Sequence, residues 1–155
     1  MPREPDLALT WDPDPADVDA LHELLSTFNA QATGIDDGRA FAVWLRDAAG
    51  QVAGGCCGWT WGGTCYVDTL FLPAPLRDRG LGSRIMAMVE ATAGDRGCTQ
   101  ILLQTHDFQA PAFYERLGFA RSGATPDYPR GHAHLTMVKP LPQAAATARR
   151  QLAQE

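Results

Sequence analysis

The chain has 155 residues, of which 45% are apolar and 20% charged, the make-up of one ordinary globular domain. Its 13 Lys and Arg against 18 Asp and Glu leave a net charge of −5, which disfavours non-specific nucleic-acid binding because that needs a positive field to displace counterions. No apolar run reaches the ~18 residues of a membrane span. Met1-Pro2-Arg3-Glu4 starts no apolar signal core, so a cytoplasmic protein that binds neither membrane nor nucleic acid is expected.

A first helix is expected over 15–33. Asp14 can cap it, Pro15 suits its first position and Asp17 its first turn. Val18, Leu21, Leu24, Leu25 and Phe28 recur at helical spacing on one face. Two strands follow, over 40–46 and 52–60, joined at Asp47-Ala48-Ala49-Gly50 as an antiparallel hairpin. A third strand is expected over 65–72, after the turn Gly62-Gly63. A Pro-bearing loop over 73–79 then leads into Gly80-Leu81-Gly82-Ser83 and a helix of about fourteen residues. Leu81, Ile85, Met88, Val89 and Thr92 form its inner stripe, and Gly97 ends it. A short strand over 101–105, a short helix over 110–117 stopped by Gly118, and late strands over 119–122 and 132–138 complete the order. This order describes an α/β (α+β) domain with a curved, mixed, mostly antiparallel sheet flanked by helices. It occupies 1–141 as a single domain. Residues 142–155 form a tail rich in Ala, Arg and Gln, helical or mobile, with little apolar surface to hold it down.

Cys56, Cys57, Cys65 and Cys98 form no Cys-x-x-Cys pair, and no His pair has zinc spacing. They read as small buried hydrophobes in a reducing compartment, and no metal is expected.

Arg77-Asp78-Arg79-Gly80-Leu81-Gly82-Ser83 lies between a strand and a helix. Unpaired N–H groups at a helix N-terminus suit a pyrophosphate, and Gly80 and Gly82 allow close backbone approach. Arg77 and Arg79 can add charge-assisted bonds. A P-loop is absent, and the third glycine of a dinucleotide loop is replaced by Ile85. The plain alternative is a glycine-bearing turn before a surface helix.

The loop resembles the Arg/Gln-x-x-Gly-x-Gly/Ala acyl-coenzyme A loop of the GCN5-related N-acetyltransferase (GNAT) superfamily. Later, Ala110-Pro111-Ala112-Phe113-Tyr114-Glu115-Arg116-Leu117-Gly118-Phe119 is similar to the superfamily's second signature, a helix bearing Phe-Tyr-Glu-Lys-Leu-Gly-Phe. The resemblance covers about 8–141. Gln109-Ala110-Pro111 and Asp127-Tyr128-Pro129-Arg130-Gly131-His132 resemble a bacterial branch with an uncharacterised acceptor. The resemblance implies acetyl-CoA as co-substrate. It implies that Phe71 and Leu72 bond the pantetheine arm through their backbone, on a strand splayed from its neighbour. It implies that Arg77, Asp78, Arg79, Gly80, Leu81, Gly82 and Ser83 hold the pyrophosphate, and that Tyr114 is the general acid near the sulfur. Asp107 departs from the pattern, standing where many relatives carry Asn. A carboxylate donates no hydrogen bond unless protonated, so Asp107 is not counted among the cofactor residues; it is expected to cap the Pro111 helix through a nearby turn or to sit in solvent.

Such a reaction is attack of a neutral amine on a thioester. An alkylamine with a pKa of about 10.4 is neutral in only roughly one molecule per thousand at pH 7. A base is therefore needed. Asp68 lies inside an apolar strand, where a carboxylate is costly without a partner or a task. Alternation puts Tyr66, Asp68 and Leu70 on one face. In the superfamily a carboxylate on that strand often takes the amine proton through water; the other reading is a carboxylate bonded to backbone or an arginine. His132, which shares a face with His134, is an alternative base or an acceptor-lining residue. Trp59, Trp61 and Tyr66 can wall an acceptor pocket, or serve as core or dimer contacts. The expectation is an N-acetyltransferase acting on a primary amine of a small molecule, as a homodimer. Protein or peptide acetylation and non-catalytic acyl-CoA sensing are the alternatives.

Overall fold

The structure, a computed structural model, describes residues 1–141. The expectation for the tail at 142–155 lies outside the described residues. Two compact units are present, Met1–Asp36 and a second that begins at Asp37.

The first unit holds helix α1, Pro15–Thr33. Asp14 caps it as expected, its carboxylate accepting the Ala16 N–H at 2.9 Å. Gly34 ends it in the left-handed conformation, donating its N–H to the Ala30 carbonyl. Within this unit the stripe of Leu21, Leu24, Leu25 and Phe28 has no second helix or strand to pack on.

The second unit is one six-stranded sheet with two helices. Its elements in chain order are β1 (Arg39–Arg46), β2 (Val52–Trp61), β3 (Thr64–Phe71), a single 3-10 turn (Ala74–Leu76), α2 (Leu81–Asp95), β4 (Gln100–His106), α3 (Pro111–Arg116), β5 (Ala120–Pro126) and β6 (Ala133–Pro140). The strands lie in the order β1-β2-β3-β4-β6-β5. Neighbours run antiparallel except β3 and β4, which are parallel because α2 crosses between them. The β1–β2 hairpin closes as expected. The Asp47 carboxylate accepts the N–H groups of Ala49 and Gln51, each at 2.9 Å.

The core gathers on the face beneath α2. Cys56, Cys65, Val67, Ile101, Leu103 and Met137 from the sheet meet Ile85, Met86, Val89 and Ala93 from the helix. Each fully buried large aliphatic side chain there is worth about 1.5–3 kcal/mol of transfer free energy. The stripe on α2 is rotated from the expected one. Met88 is 55% exposed, and Met86 and Ala93 are inside instead. A stripe centred on Ile85 and Val89 can be completed on either flank, and contact with the sheet selects the Met86–Ala93 flank.

Cys56, Cys65 and Cys98 behave as expected of buried hydrophobes, whereas Cys57 is only half-buried. All four are free thiols. Burial pushes the thiols of Cys56 and Cys65 up to about 12, so they stay protonated and inert. Among the described residues no helix is long and apolar enough to cross a membrane, and no group of three or more His, Cys, Asp or Glu is placed to hold a metal.

Candidate active site

The site begins with a defect in the sheet. β3 and β4 pair only from Thr64 with Gln100 to Val67 with Leu103. In the ladder with β2, Val67 faces Gly58 and Thr69 faces Cys57, so Asp68 is the extra residue of a bulge. A bulge bends its strand and increases its local twist. Beyond it β3 and β4 share no ladder pair, and a fork opens between Asp68–Phe71 on one side and Gln104–His106 on the other. Main-chain groups on the β4 side of this stretch of β3 are left without a strand partner, as the resemblance implied.

The bulge also corrects the expected alternation. Tyr66 and Asp68 share the open face with Trp59 as expected, but Leu70 does not follow them. Leu70 packs against the core, whereas Asp68 lines an open groove of about 430 Å³ with Trp44, Cys57 and Trp59. One inserted residue reverses the parity of everything after it. Asp68 accepts a hydrogen bond of 3.3 Å from its neighbour Thr69. Tyr66 keeps its place at the apex of the fork. Its ring lies 4.5 Å from that of Trp59, and its hydroxyl donates to Oε1 of Gln104 at 3.1 Å. Burial, then the charge of Asp68, pushes the Tyr66 phenol upward. Trp61 sits apart, at the end of β2 beside Gly38.

The loop after β3 is braced by its own arginine. Arg77 Nε donates to the Leu72 carbonyl at 2.8 Å, and its guanidinium lies 5.7 Å from the Phe71 ring. That leaves the terminal nitrogens of Arg77, and exposed Arg79, for an anion. Asp78 and Gly80 both have positive φ, 59° and 75°, and Gly80 is the N-cap residue of α2. A Cβ at Gly80 would meet nothing within 4 Å. Its requirement is conformational, and the space beside it is open. Gly82 is different. A Cβ there would lie 3.1 Å from Cζ of Phe113 and 3.6 Å from Leu72. Gly82 therefore lets the first turn of α2 close onto α3 and the end of β3. The N-terminal N–H groups of Leu81, Gly82 and Ser83 are thus held beside the end of the forked strand.

Tyr114 is on α3 and buried, with Phe113 and Phe119 edge-on at 5.2 and 5.7 Å. Burial pushes its phenol up to about 12, with the Cys56 thiol adding to the shift.

Asp107 neither caps α3 nor sits free in water. One carboxylate oxygen faces Nδ1 of His132 at 2.9 Å and the other accepts the Ala133 N–H at 2.9 Å. Its own N–H donates to the Ala133 carbonyl at 2.9 Å. The end of β4 is thereby clamped to the start of β6. Partial burial works against the charge, but the bonds from Ala133, His132 and Phe108 outweigh it and hold the carboxyl below its usual range. His132 is thus on the β6 side of the fork, where its ring meets Phe108 and its Nδ1 faces Asp107.

Several residues had no assigned role in the sequence. Gln104 was one. Gln109 folds its side chain back to accept from the His106 N–H at 2.7 Å and the Thr105 hydroxyl at 3.2 Å, fixing the turn from β4 into α3. Asp127, at φ 58°, accepts the Gly131 N–H at 2.9 Å and closes the β5–β6 loop. The segments Gln109-Ala110-Pro111 and 127–132 carried the signal for both, as branch-like motifs without a stated purpose.

A strand fork, a glycine-bearing helix N-terminus at its end and a buried tyrosine behind it define the acyl-CoA acyltransferase class. Residues 6–119 match the acetyltransferase (GNAT) family model, and the chain belongs to that family. It is 40% identical over 105 residues to the blasticidin-S acetyltransferase of Streptomyces morookaense, covering 65% of this chain and 75% of that protein. It is 33% identical over 105 residues to the acetyltransferase Atu2258 of Agrobacterium fabrum, covering 68% and 77%. A crystal structure from Agrobacterium tumefaciens, assigned to the acetyltransferases, superposes with a TM-score of 0.78 at 29% identity, covering 88% of this chain and 99% of that one.

Proposed function

We propose that the protein transfers the acetyl group of acetyl-coenzyme A to a primary amine on a small molecule. The observation that carries the reading is the fork at Asp68, which frees the main chain of β3 next to the N-terminus of α2. The residues fit the co-substrate. The open side of Gly80 leaves room for a phosphate, the helix N-terminus supplies donors, and Arg77 and Arg79 supply charge. The small-molecule acceptor is supported by the blasticidin-S acetyltransferase relative, at 40% identity.

In this reading the amine loses its proton to Asp68, through water, on the open face of the sheet. Its nitrogen then forms the bond to the thioester carbon, the carbon–sulfur bond breaks, and a free N–H of the forked strand steadies the oxygen charge. Tyr114 serves the leaving sulfur. With its pKa at about 12, it is fully protonated at neutral pH. A thiol titrates near ~8.5, so complete proton transfer from this phenol is uphill. Tyr114 therefore acts first as a hydrogen-bond donor to the developing thiolate, and the thiolate takes up, by way of solvent, the second proton that the nitrogen releases as the amide forms.

Calorimetric titration with acetyl-coenzyme A, with NADH as control, tests the co-substrate. One-site binding of acetyl-coenzyme A alone supports the reading, and no binding by the folded protein refutes it. Mass spectrometry of small amines and of peptides then separates acetylation of a small molecule from acetylation of a peptide. Binding without turnover of any amine would leave an acyl-CoA sensor.

A further inference from the structure

A cluster of rings surrounds the end of β4, contributed by three stretches of chain. His106 stacks on Phe108, with centroids 5.2 Å apart and planes at 8°. It meets Tyr128 edge-on at 5.2 Å and His134 at 4.8 Å. Tyr128 and His134 are also in contact, at 5.2 Å, and Phe108 meets His132 edge-on at 4.8 Å. His106 and His134 are directly paired across β4 and β6. By the two-residue period of a strand, His106 shares its face with Gln104, whose carboxamide meets Tyr66 at the fork. The rings therefore stand next to the fork, on the face of Tyr66 and Trp59.

We propose that His106, Phe108, Tyr128 and His134 select the acceptor, and that they take the planar heteroaromatic part of a small amine. The proposal rests on the acetyl-transfer reading above. Phe108 and Tyr128 are 55% and 56% exposed, two large rings held out to water, unlike buried Tyr114 and Phe119. They are also held still. The Tyr128 N–H donates to the His132 carbonyl across the loop, the His132 N–H reaches the Pro129 carbonyl, and Asp127 closes on Gly131. Asp107 ties His132 and Ala133 to the end of β4. A braced ring surface loses little conformational entropy on binding. Its polarity is defined too. His106 Nδ1 faces the Tyr128 carbonyl at 3.0 Å, an oxygen that only accepts, so Nδ1 carries the hydrogen. In the neutral ring Nε2 is then the acceptor, a handle for a ring N–H or an exocyclic amine. Stacked and edge-on rings reward a planar partner beyond what area alone gives, and a flexible alkyl chain gains no such term.

Tryptamine and hexylamine test this, being primary amines of similar apolar size with and without a planar N–H ring. Wild-type protein saturated with acetyl-coenzyme A should prefer tryptamine in kcat/KM. In Phe108→Ala and Tyr128→Ala the tryptamine-to-hexylamine ratio should fall about two- to twelvefold, the range that one aromatic contact represents. Phe108→Leu keeps apolar volume and should lose the same preference. An unchanged ratio in all three overturns the proposal, as does an equal loss for both amines, which would make the cluster a brace for the loop. If the wild type turns over neither amine, the acetyl-transfer reading is judged by the wider amine screen. Calorimetry of the coenzyme A complex then still reads the rings. Tighter tryptamine binding that Phe108→Leu abolishes sustains the proposal, and equal binding of both amines ends it.

Discussion

Val67 and Leu103 are the last pair that β3 and β4 share, and the next residue of β3, Asp68, is the one left over in its ladder with β2. The same insertion opens the fork and, while Asp68 stays with Tyr66 and Trp59 on the open face, carries Leu70 to the core side. Tyr66 and Gln104 bridge the strands beside that apex. A hydrogen bond of this kind contributes about 1 kcal/mol, enough to keep the apex from drifting.

Asp68→Asn preserves the size of the side chain and removes its ability to take a proton. At pH 6 an alkylamine acceptor is almost wholly protonated, so the rate depends most on the base there. The variant should lose roughly 100-fold in kcat/KM at pH 6, the low end of general-base contributions. The gap should narrow as pH approaches the pKa of the amine, where the substrate deprotonates unaided. Parallel pH profiles for wild type and variant would assign Asp68 to the bulge alone.

Tyr114→Phe removes the phenol and leaves the ring packed between Phe113 and Phe119. Turnover should fall about 100-fold, with the dissociation constant for acetyl-coenzyme A within about twofold by calorimetry. The wild-type profile carries a second mark. A phenol held at about 12 does not ionise between pH 9 and 11, so the variant-to-wild-type rate ratio should stay flat there. A ratio that closes near pH 10 would mean an ordinary solvent-exposed tyrosine. Linkage has the matching sign. The raised folded pKa stabilises the fold below about pH 10, and that contribution is lost as pH rises through 12.

The helices and the hairpin were legible because their signals are local. Asp14, Pro15 and Gly34 bound α1 within single residues, and Asp47 with Gly50 closes the β1–β2 turn. The fork itself was visible only through the superfamily resemblance. Nothing in Cys65-Tyr66-Val67-Asp68-Thr69-Leu70 marks Asp68 as the residue that drops out of register, because a bulge is decided jointly by two strands. The inner stripe of α2 failed at Met88 for a related reason: helical spacing gives an arc, and the partner sheet picks its centre. The Asp107 clamp was illegible because its partners, His132 and Ala133, are brought to it by a strand crossing the sheet.

Gly80 and Gly82 separate two effects that the loop motif merges. Gly80 sits at φ 75° with open space beside it, so Gly80→Ala carries the left-handed penalty of about 1–2 kcal/mol without a clash. Gly82→Val pushes instead on Phe113, an overpacking of about 1–3 kcal/mol. Denaturant melts should show both losses. Phe113→Leu added to Gly82→Val should recover part of the second and none of the first. Recovery of acetyl-coenzyme A affinity in that double variant would show that Gly82 serves helix packing; continued loss would show that the glycine faces the phosphate directly.

Asp107 supplies a test in acid. Its carboxyl is lowered from 3.8 by its bonds to Ala133, His132 and Phe108, against the opposing pull of partial burial. A depressed folded pKa means stability that is fully present above the unfolded pKa and lost as pH falls through the folded one. The clamp should therefore be complete at pH 5 and above, and dissolve below about pH 4, where the unfolded carboxyl begins to bind its proton. Asp107→Asn replaces one acceptor oxygen by an NH2 group, so it can still accept from Ala133 but offers His132 a donor. Thermal melts should place the variant below wild type at pH 7, with the two curves converging as pH falls toward 3. Because every other carboxylate titrates alike in both proteins, the difference between the curves isolates this one. A gap that persists unchanged at pH 3 would mean that the clamp works without the charge, through hydrogen bonds that a neutral side chain also makes and the backbone bond from the Asp107 N–H to the Ala133 carbonyl.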